Sequence, residues 1–584
     1  MKNLPSLLLI CFLFIACNPT DDTPNRATKN LYSIFEEKQA FDKKEFPSAT
    51  ATDKDVPAFP SIKIEDFQRR GVFWRSLLKK MGGIDTAALS KSDKINYDIF
   101  KFILENKIAQ VKYEAYLTPI SGDGGFQVDF VYTRNRFHFQ SEADYERYIK
   151  VLEGFKDFAQ ANMDLMAEGL KKGKTLPKVV LEGYESYIDP QIVEAAEESY
   201  FYKPFEEMAE GISESKQATL RERAQKAIME SVVTGYQNFK DFIQNTYRPK
   251  ARESIGISAQ PQGAEYYQQR IKYFTTLPLN ADQVFEIGQQ EVIRIKSEMQ
   301  KVIEKINFKG SFEDFLHFLR TDPQFYAKTG RELLMQASYI AKKIDGKLPE
   351  FFNRLPRLPY GIAPVPDAIA PKYTGGRCIP GSAKDHRAGF YWVNTYKLES
   401  RPLYVLPALT LHEAVPGHHL QISLAEEMEN VPEFRKSTYL SCYGEGWALY
   451  CEWLGKEMGM YETPYQEFGR LTYEMWRACR LVVDVGIHAK SWTRDQAVQF
   501  MASNTALSLH EINTEIDRYI GWPGQAISYK IGELKIRELR KKAEAELGDK
   551  FDLRDFHDVI LSNGAVPLFV LETLAEDYIL ENNH

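Results

Sequence analysis

Apolar residues recur at helical spacing over long, unbroken stretches, and this constrains the fold more than any other feature. In NADQVFEIGQQEVIRIKSEMQKVIEKI (280–306), Val284, Ile287, Val292, Ile295, Met299 and Val302 fall on one stripe. Asn280 or Asp282 supplies a side-chain cap at its start. Residues 141–173 predict a second long helix, with Gly173 as its stop. Residues 213–251 predict a third. No internal repeat is evident.

The pattern changes at 348–395, which is rich in proline and glycine and holds short β-like runs. The best of these is AGFYWVNT (388–395). Helical patterning resumes near Leu403 and persists to the end. The expected fold is therefore mainly α with a small β-sheet, in two lobes. Residues 30–345 form a helical lobe and residues 346–584 form a catalytic lobe, with a soft boundary between them.

The N-terminus, MKNLPSLLLICFLFIAC, has one lysine and an apolar run too short for a confident membrane span. It reads as a signal peptide over 1–16. LFIAC resembles a bacterial lipobox, with Phe14 an imperfect match, so Cys17 is the expected lipidation site. Residues 17–29 would then be a polar tether, and the protein would be lipid-anchored in the cell envelope. The other reading is an ordinary secretory signal with an incidental cysteine. No second long apolar run follows. Six cysteines are present, and Cys378, Cys442, Cys451 and Cys479 remain beyond the anchor. They lack C-x-x-C spacing, which argues against a cysteine zinc site. They are open to a disulfide in an oxidising compartment or to burial as small hydrophobes. The net charge of −7 and the lack of a long basic run argue against nucleic acid as a partner. The 36 Phe, 32 Tyr and 7 Trp suit helix interfaces first and a peptide-gripping groove second.

LTLHEAVPGHHLQ (411–423) carries the densest chemistry. A hydrolytic zinc needs three protein ligands, an open position and a carboxylate that takes the proton of water. The usual arrangement is H-E-x-x-H on one helix face. Here Glu413 follows His412, but the next histidines are His418 and His419. On a regular helix His418 would lie about 120° from His412, and His419 would lie two turns away, roughly 10 Å along the axis. Pro416 and Gly417 offer a way out. Proline cannot donate to the carbonyl of His412, and glycine tolerates unusual backbone angles. A bulge over 415–417 would bring His418 to the second ligand position and leave His419 behind it or in the groove. CYGEGWALYCEW (442–453) starts a new helix, with Glu445 near its beginning and Glu452 two turns on, less well placed. A carboxylate at a helix start is also favoured by the helix dipole alone. The upstream histidines tip Glu445 towards metal.

HEAVPGHHLQ, GEGWALYCEWLGKEMGMY, RACRLVVDVGIHAKSW and RYIGWPGQAISYKIGELKI appear in this order. Together they resemble the bacterial family called domain of unknown function 885. The resemblance covers most of the chain after the tether and is strongest from about Gly375 to Leu568. That family is similar to the gluzincin metallopeptidases, which include oligopeptidases and angiotensin-converting enzyme. The resemblance implies a zincin-like helical fold with the sheet beside the active-site helix, and Zn2+ held by His412, His418 and Glu445. It implies Glu413 as general base. It also implies Tyr529, in PGQAISYKIG, as donor to the oxyanion, with Tyr519 in reserve.

Further candidates stand between function and packing. His488 assists catalysis or is a buried histidine paired with Asp484. Arg480 and Arg518 bind a substrate carboxylate or form structural ion pairs. Asn394 lies in AGFYWVNT, which would serve as an edge strand pairing with substrate backbone, or is a plain hairpin strand. His419 is a candidate groove residue. The expectation is a lipid-anchored zinc peptidase that cleaves short peptides. Its rival is a non-catalytic helical surface lipoprotein that binds peptides or nutrients. The rival has no need for His, Glu, His and a downstream Glu in register, and Glu413, which binds no metal, argues against a third reading, an inactive relative that keeps the metal for structure.

Overall fold

A computed structural model describes residues 25–51, 55–122, 124–367, 369–384 and 386–583. The signal segment, Cys17 and the first part of the tether lie outside the described residues. The tether is shorter than expected, because helix α1 (Arg26–Glu45) starts within it, capped by the Asn25 side chain.

Helices build nearly all of the chain. Helix α2 (Glu142–Lys172) starts at a Ser141/Asp144 capping box and stops at Gly173, whose φ of 69° suits glycine. Residues 214–250 run on as expected, with two π-helical segments, Ile228–Val233 and Ile243–Tyr247. Helix α3 (Ala281–Ile306) is capped by Asn280, and buries Val284, Val292, Ile295 and Met299 of the expected stripe.

The sheet has three strands: β1 (Tyr360–Pro364), β2 (Gly376–Ile379) and β3 (Gly389–Val393). Their order is β1-β3-β2, with β1 parallel and β2 antiparallel to β3. This corrects the expectation for AGFYWVNT. Its strand, β3, is central and spends both edges on neighbours, so it has none to offer a peptide. The outer strands are β1 and β2, and β2 is the one beside Glu413.

The site is carried by α4 (Leu406–Glu413), α5 (His418–Glu426), α6 (Ser441–Leu454) and α7 (Pro464–Ala489). Helices α8 (Leu509–Gly521) and α9 (Ser528–Leu547) pack behind them. Residue 345 divides the chain but not the core. Both large apolar clusters draw on residues from either side of it, such as Tyr145 with Tyr404 and Ile99 with Leu571. A buried charge cluster adds a polar tie. Lys530 of α9 reaches Glu291 of α3 at 2.9 Å, Glu474 of α7 at 2.9 Å and Glu533 at 2.8 Å. Such a cluster is tolerated because each charge has opposite partners. Cys378, Cys442, Cys451 and Cys479 are all free and buried, so they pack as small hydrophobes and form no disulfide.

Candidate metal centre

The motif HEAVPGHH breaks the helix instead of merely bulging it. Helix α4 ends at Glu413, and α5 begins at His418. Between them the Val415–Pro416 peptide bond is cis. Gly417 is required: a Cβ there would lie 1.9 Å from the carbonyl oxygen of His412. The His419 N–H donates to the Ala414 carbonyl at 3.1 Å, five residues back where a regular helix reaches four. Trp447 of α6 pins the turn by donating to the Pro416 carbonyl at 2.8 Å. The detour sets the His412 and His418 rings 4.8 Å apart and nearly perpendicular, at 86°. His419 points elsewhere. Its Nε2 meets the Leu358 carbonyl at 2.9 Å, and its ring packs against Tyr360.

Glu445 comes from the second turn of α6, and its Oε2 lies 3.5 Å from His412 Nε2 and 3.3 Å from His418 Nε2. One ligand atom from each of the three residues lies within 4.8 Å of the others. The spacing can be tested against zinc. Bonds of about 2.0–2.1 Å to N and O in a tetrahedron give ligand-to-ligand edges of roughly 3.3–3.4 Å. The two edges to Glu445 match that figure, and two imidazoles with one carboxylate are a zinc donor set. The supporting layer is also present. Glu452, seven residues on along α6, approaches His412 Nδ1 at 2.8 Å, which fixes the tautomer with Nε2 facing inward. Arg477 of α7 lies 3.3 Å from the same carboxylate oxygen. The Tyr439 hydroxyl donates to Glu445 Oε1 at 2.9 Å.

The electrostatics suit a cation. Burial disfavours a charged His412, but the Glu445 and Glu452 carboxylates outweigh it and raise its pKa to about 9 without a metal. Burial likewise opposes ionisation of Glu445, yet His418 and His412 hold its carboxyl well below the usual range. Glu413, last residue of α4, is only partly buried. Its Oε2 accepts the Cys378 N–H of β2 at 2.8 Å, which holds the carboxylate against the β2 edge of the sheet. Arg377, one residue earlier on β2, is exposed, and its charge is favoured by Tyr373, Glu413 and Tyr529 around it. Tyr529 of α9 is partly buried, with the Arg480 guanidinium 4.3 Å above its ring.

Residues 52–574 match the family described as "Bacterial protein of unknown function (DUF885)". The chain belongs to that family. Among solved structures, the DUF885 chain is similar to a lipoprotein candidate from Colwellia psychrerythraea, with TM-score 0.88 and 28% identity. That match covers 95% of this chain and 100% of the other. A lipoprotein candidate of unknown function from Shewanella oneidensis shares the fold, with TM-score 0.69 and 18% identity over 94% and 99% of the two chains. No curated protein matches.

Several candidates of this DUF885 chain lie away from the centre or are already engaged. His488 is fully buried. Its Nδ1 accepts from the Ile257 N–H at 3.1 Å and its Nε2 faces the Tyr519 carbonyl at 3.0 Å. Neither nitrogen is left for catalysis, and burial lowers its pKa to about 3. Asp484 does not pair with it; the carboxylate accepts from the Tyr267 hydroxyl at 2.6 Å and the Gly524 N–H. Asn394 is fully buried, and its amide donates to the carbonyls of Ala370, Tyr373 and Thr374, so it has nothing for a substrate. His419 faces the sheet and not a groove. Arg480 is committed to Glu515 at 3.0 Å and the Tyr519 hydroxyl at 2.7 Å, and Arg518 to Glu515 and Gln525. The same contacts occupy Tyr519. Sequence reasoning weighed Glu452 only as a less well placed ligand and missed its position behind His412, and it passed over Tyr439 and Arg377. For Glu452 a signal existed: seven residues is two helical turns, the same face as Glu445.

Proposed function

We propose that this protein is a zinc-dependent peptidase, with a zincin-like site set between helical layers. The observation that carries the reading is the convergence of His412, His418 and Glu445 at zinc-ligand spacing, with Glu413 beside them and Glu452 behind His412. Zinc in this donor set supplies a Lewis acid that polarises a carbonyl and acidifies water. Glu413 removes the proton of the attacking water and passes it to the leaving amine, which is general base and then general acid work by one carboxylate. Its bond to the Cys378 N–H aims the carboxylate. Tyr529 donates to the oxygen that becomes negative. The free edge of β2, in place of β3, is the strand against which an extended peptide lies.

The Cys17 anchor and an envelope location belong to the same proposal, supported by the lipobox-like N-terminus and by the two lipoprotein candidates of the same fold. Among the described residues no helix is long and apolar enough to cross a membrane.

The test is metal dependence. Protein stripped by a chelator should lose hydrolysis of short peptides and regain it with one equivalent of zinc. Hydrolysis that survives complete removal of metal would refute the reading.

A further inference from the structure

A second cavity, of about 290 Å³, lies along the face of α4 that ends in Glu413. Leu409 lines it, four residues before Glu413 and so one turn away on the same face. Gly375, immediately before β2, lines it from the sheet side. Tyr473 of α7 lines it too, and stands close enough to Glu452 to feel its charge. The cavity therefore lies one helical turn from Glu413 along α4.

Its walls are mostly apolar, with Leu333, Val393, Leu406 and Leu507 among them. Among the polar side chains on this lining are Arg401, Thr472 and Glu511, and the first two each bury an atom that lacks a hydrogen-bond partner. Arg401 Nε is buried with no hydrogen-bond partner, and its NH2 group reaches the Tyr373 carbonyl only at 3.5 Å. Thr472 Oγ1 is likewise buried and unpartnered. Among the described residues no cation forms an ion pair with Glu511 of α8. Burial raises the pKa of that carboxyl, with Arg401 the largest opposing influence. A cation and a carboxylate thus share one apolar cavity without joining.

We propose that this cavity binds the side chain of a tyrosine-type residue next to the bond being cut; the substrate part rests on the peptidase reading above. An apolar cavity of about 150 Å³ suffices for a benzene ring, so there is room for a ring and a polar tip. A hydroxyl both donates and accepts. It can donate to Glu511 and accept from the Arg401 guanidinium, both of which line the cavity. A phenylalanine ring would offer neither bond. A lysine would meet Glu511 but be repelled by Arg401, and an acidic side chain would face the reverse conflict.

The test uses two readouts on the full chain. The first is binding of p-cresol and toluene, measured by calorimetry. p-Cresol should bind roughly ten- to hundredfold more tightly than toluene, the range expected for hydrogen bonds to charged groups. Ala506→Phe, and independently Leu333→Phe, should abolish binding, and Glu511→Gln should narrow the gap. Equal binding of the two probes, no binding of p-cresol, or binding that survives both filling variants would overturn the proposal. The second readout is cleavage of short peptides with Tyr, Phe or Ala flanking the scissile bond. Preference for Tyr over Phe and Ala in the wild type, lost in Ala506→Phe, supports the substrate assignment. Cleavage without preference overturns it. If p-cresol binds as expected but no peptide is cut, the cavity's chemistry stands and the peptidase reading falls.

Discussion

At the scale of residues, the centre turns on which neighbour of a histidine pair faces inward. His418 Nε2 meets Glu445, whereas His419 Nε2 meets the Leu358 carbonyl. His418→Ala should therefore leave the purified protein with less than a tenth of its zinc. His419→Ala should keep zinc near stoichiometric and lower only the unfolding midpoint. Metal analysis with thermal unfolding separates the two, and the opposite pattern would exchange their roles. Glu452→Gln keeps the shape but weakens the acceptor on His412 Nδ1; zinc affinity should fall about 10–100-fold, read by competition with a chelator. His412, Glu413 and His418 were legible because adjacency of His and Glu, and a Pro-Gly pair in the gap, are local signals. Asn394 and His488 were not, because a sequence does not reveal that every hydrogen-bonding atom of a side chain is already spent inside the fold.

At the scale of elements, the site depends on a helix that stops and restarts. The interruption needs Gly417, whose missing Cβ makes room for the His412 carbonyl at 1.9 Å. That neighbour is backbone and cannot rotate aside. Gly417→Ala should cost on the order of 3 kcal/mol of stability, by denaturant titration, and disturb metal binding with it. An unchanged midpoint and full zinc occupancy would show that the turn tolerates a side chain. The long helices were readable because Asn280, Ser141 and Gly173 mark their ends with side-chain or backbone chemistry. The sheet was only half readable. Local composition marks AGFYWVNT as a strand, but its central place depends on pairing with residues 360–364 and 376–379, which the strand itself does not encode.

At the scale of the molecule, two sequence lobes share one core, and long-range contacts of this kind leave no local trace. Helix α3 meets α7 and α9 through Glu291, Glu474 and Lys530, residues almost 240 positions apart at the extremes. The same burial makes the fold acid-sensitive. His488 and His557 are neutral inside, and burial lowers the pKa of each to about 3, against 6.5 for the free group. The unfolded chain therefore binds more protons than the native one between pH 6.5 and 3. Stability is complete above pH 6.5 and falls as the pH drops below it, by up to about 1.4 kcal/mol per pH unit per histidine. The Tyr450 hydroxyl and the Phe351 carbonyl occupy both ring nitrogens of His557. His557→Gln should make the loss of stability between pH 7 and pH 5 shallower, measured by urea unfolding at each pH. An identical slope would mean that His557 takes up its proton before the protein unfolds.

The central claim is that Glu413 does chemistry beside a metal it does not bind. The most direct measurement is zinc content together with peptide hydrolysis in the wild type and in Glu413→Gln. One zinc per chain in both, with hydrolysis reduced about 10²–10⁴-fold in the variant, is the predicted result. A wild-type protein that binds no zinc, or a variant that hydrolyses peptides at the wild-type rate, would contradict the account.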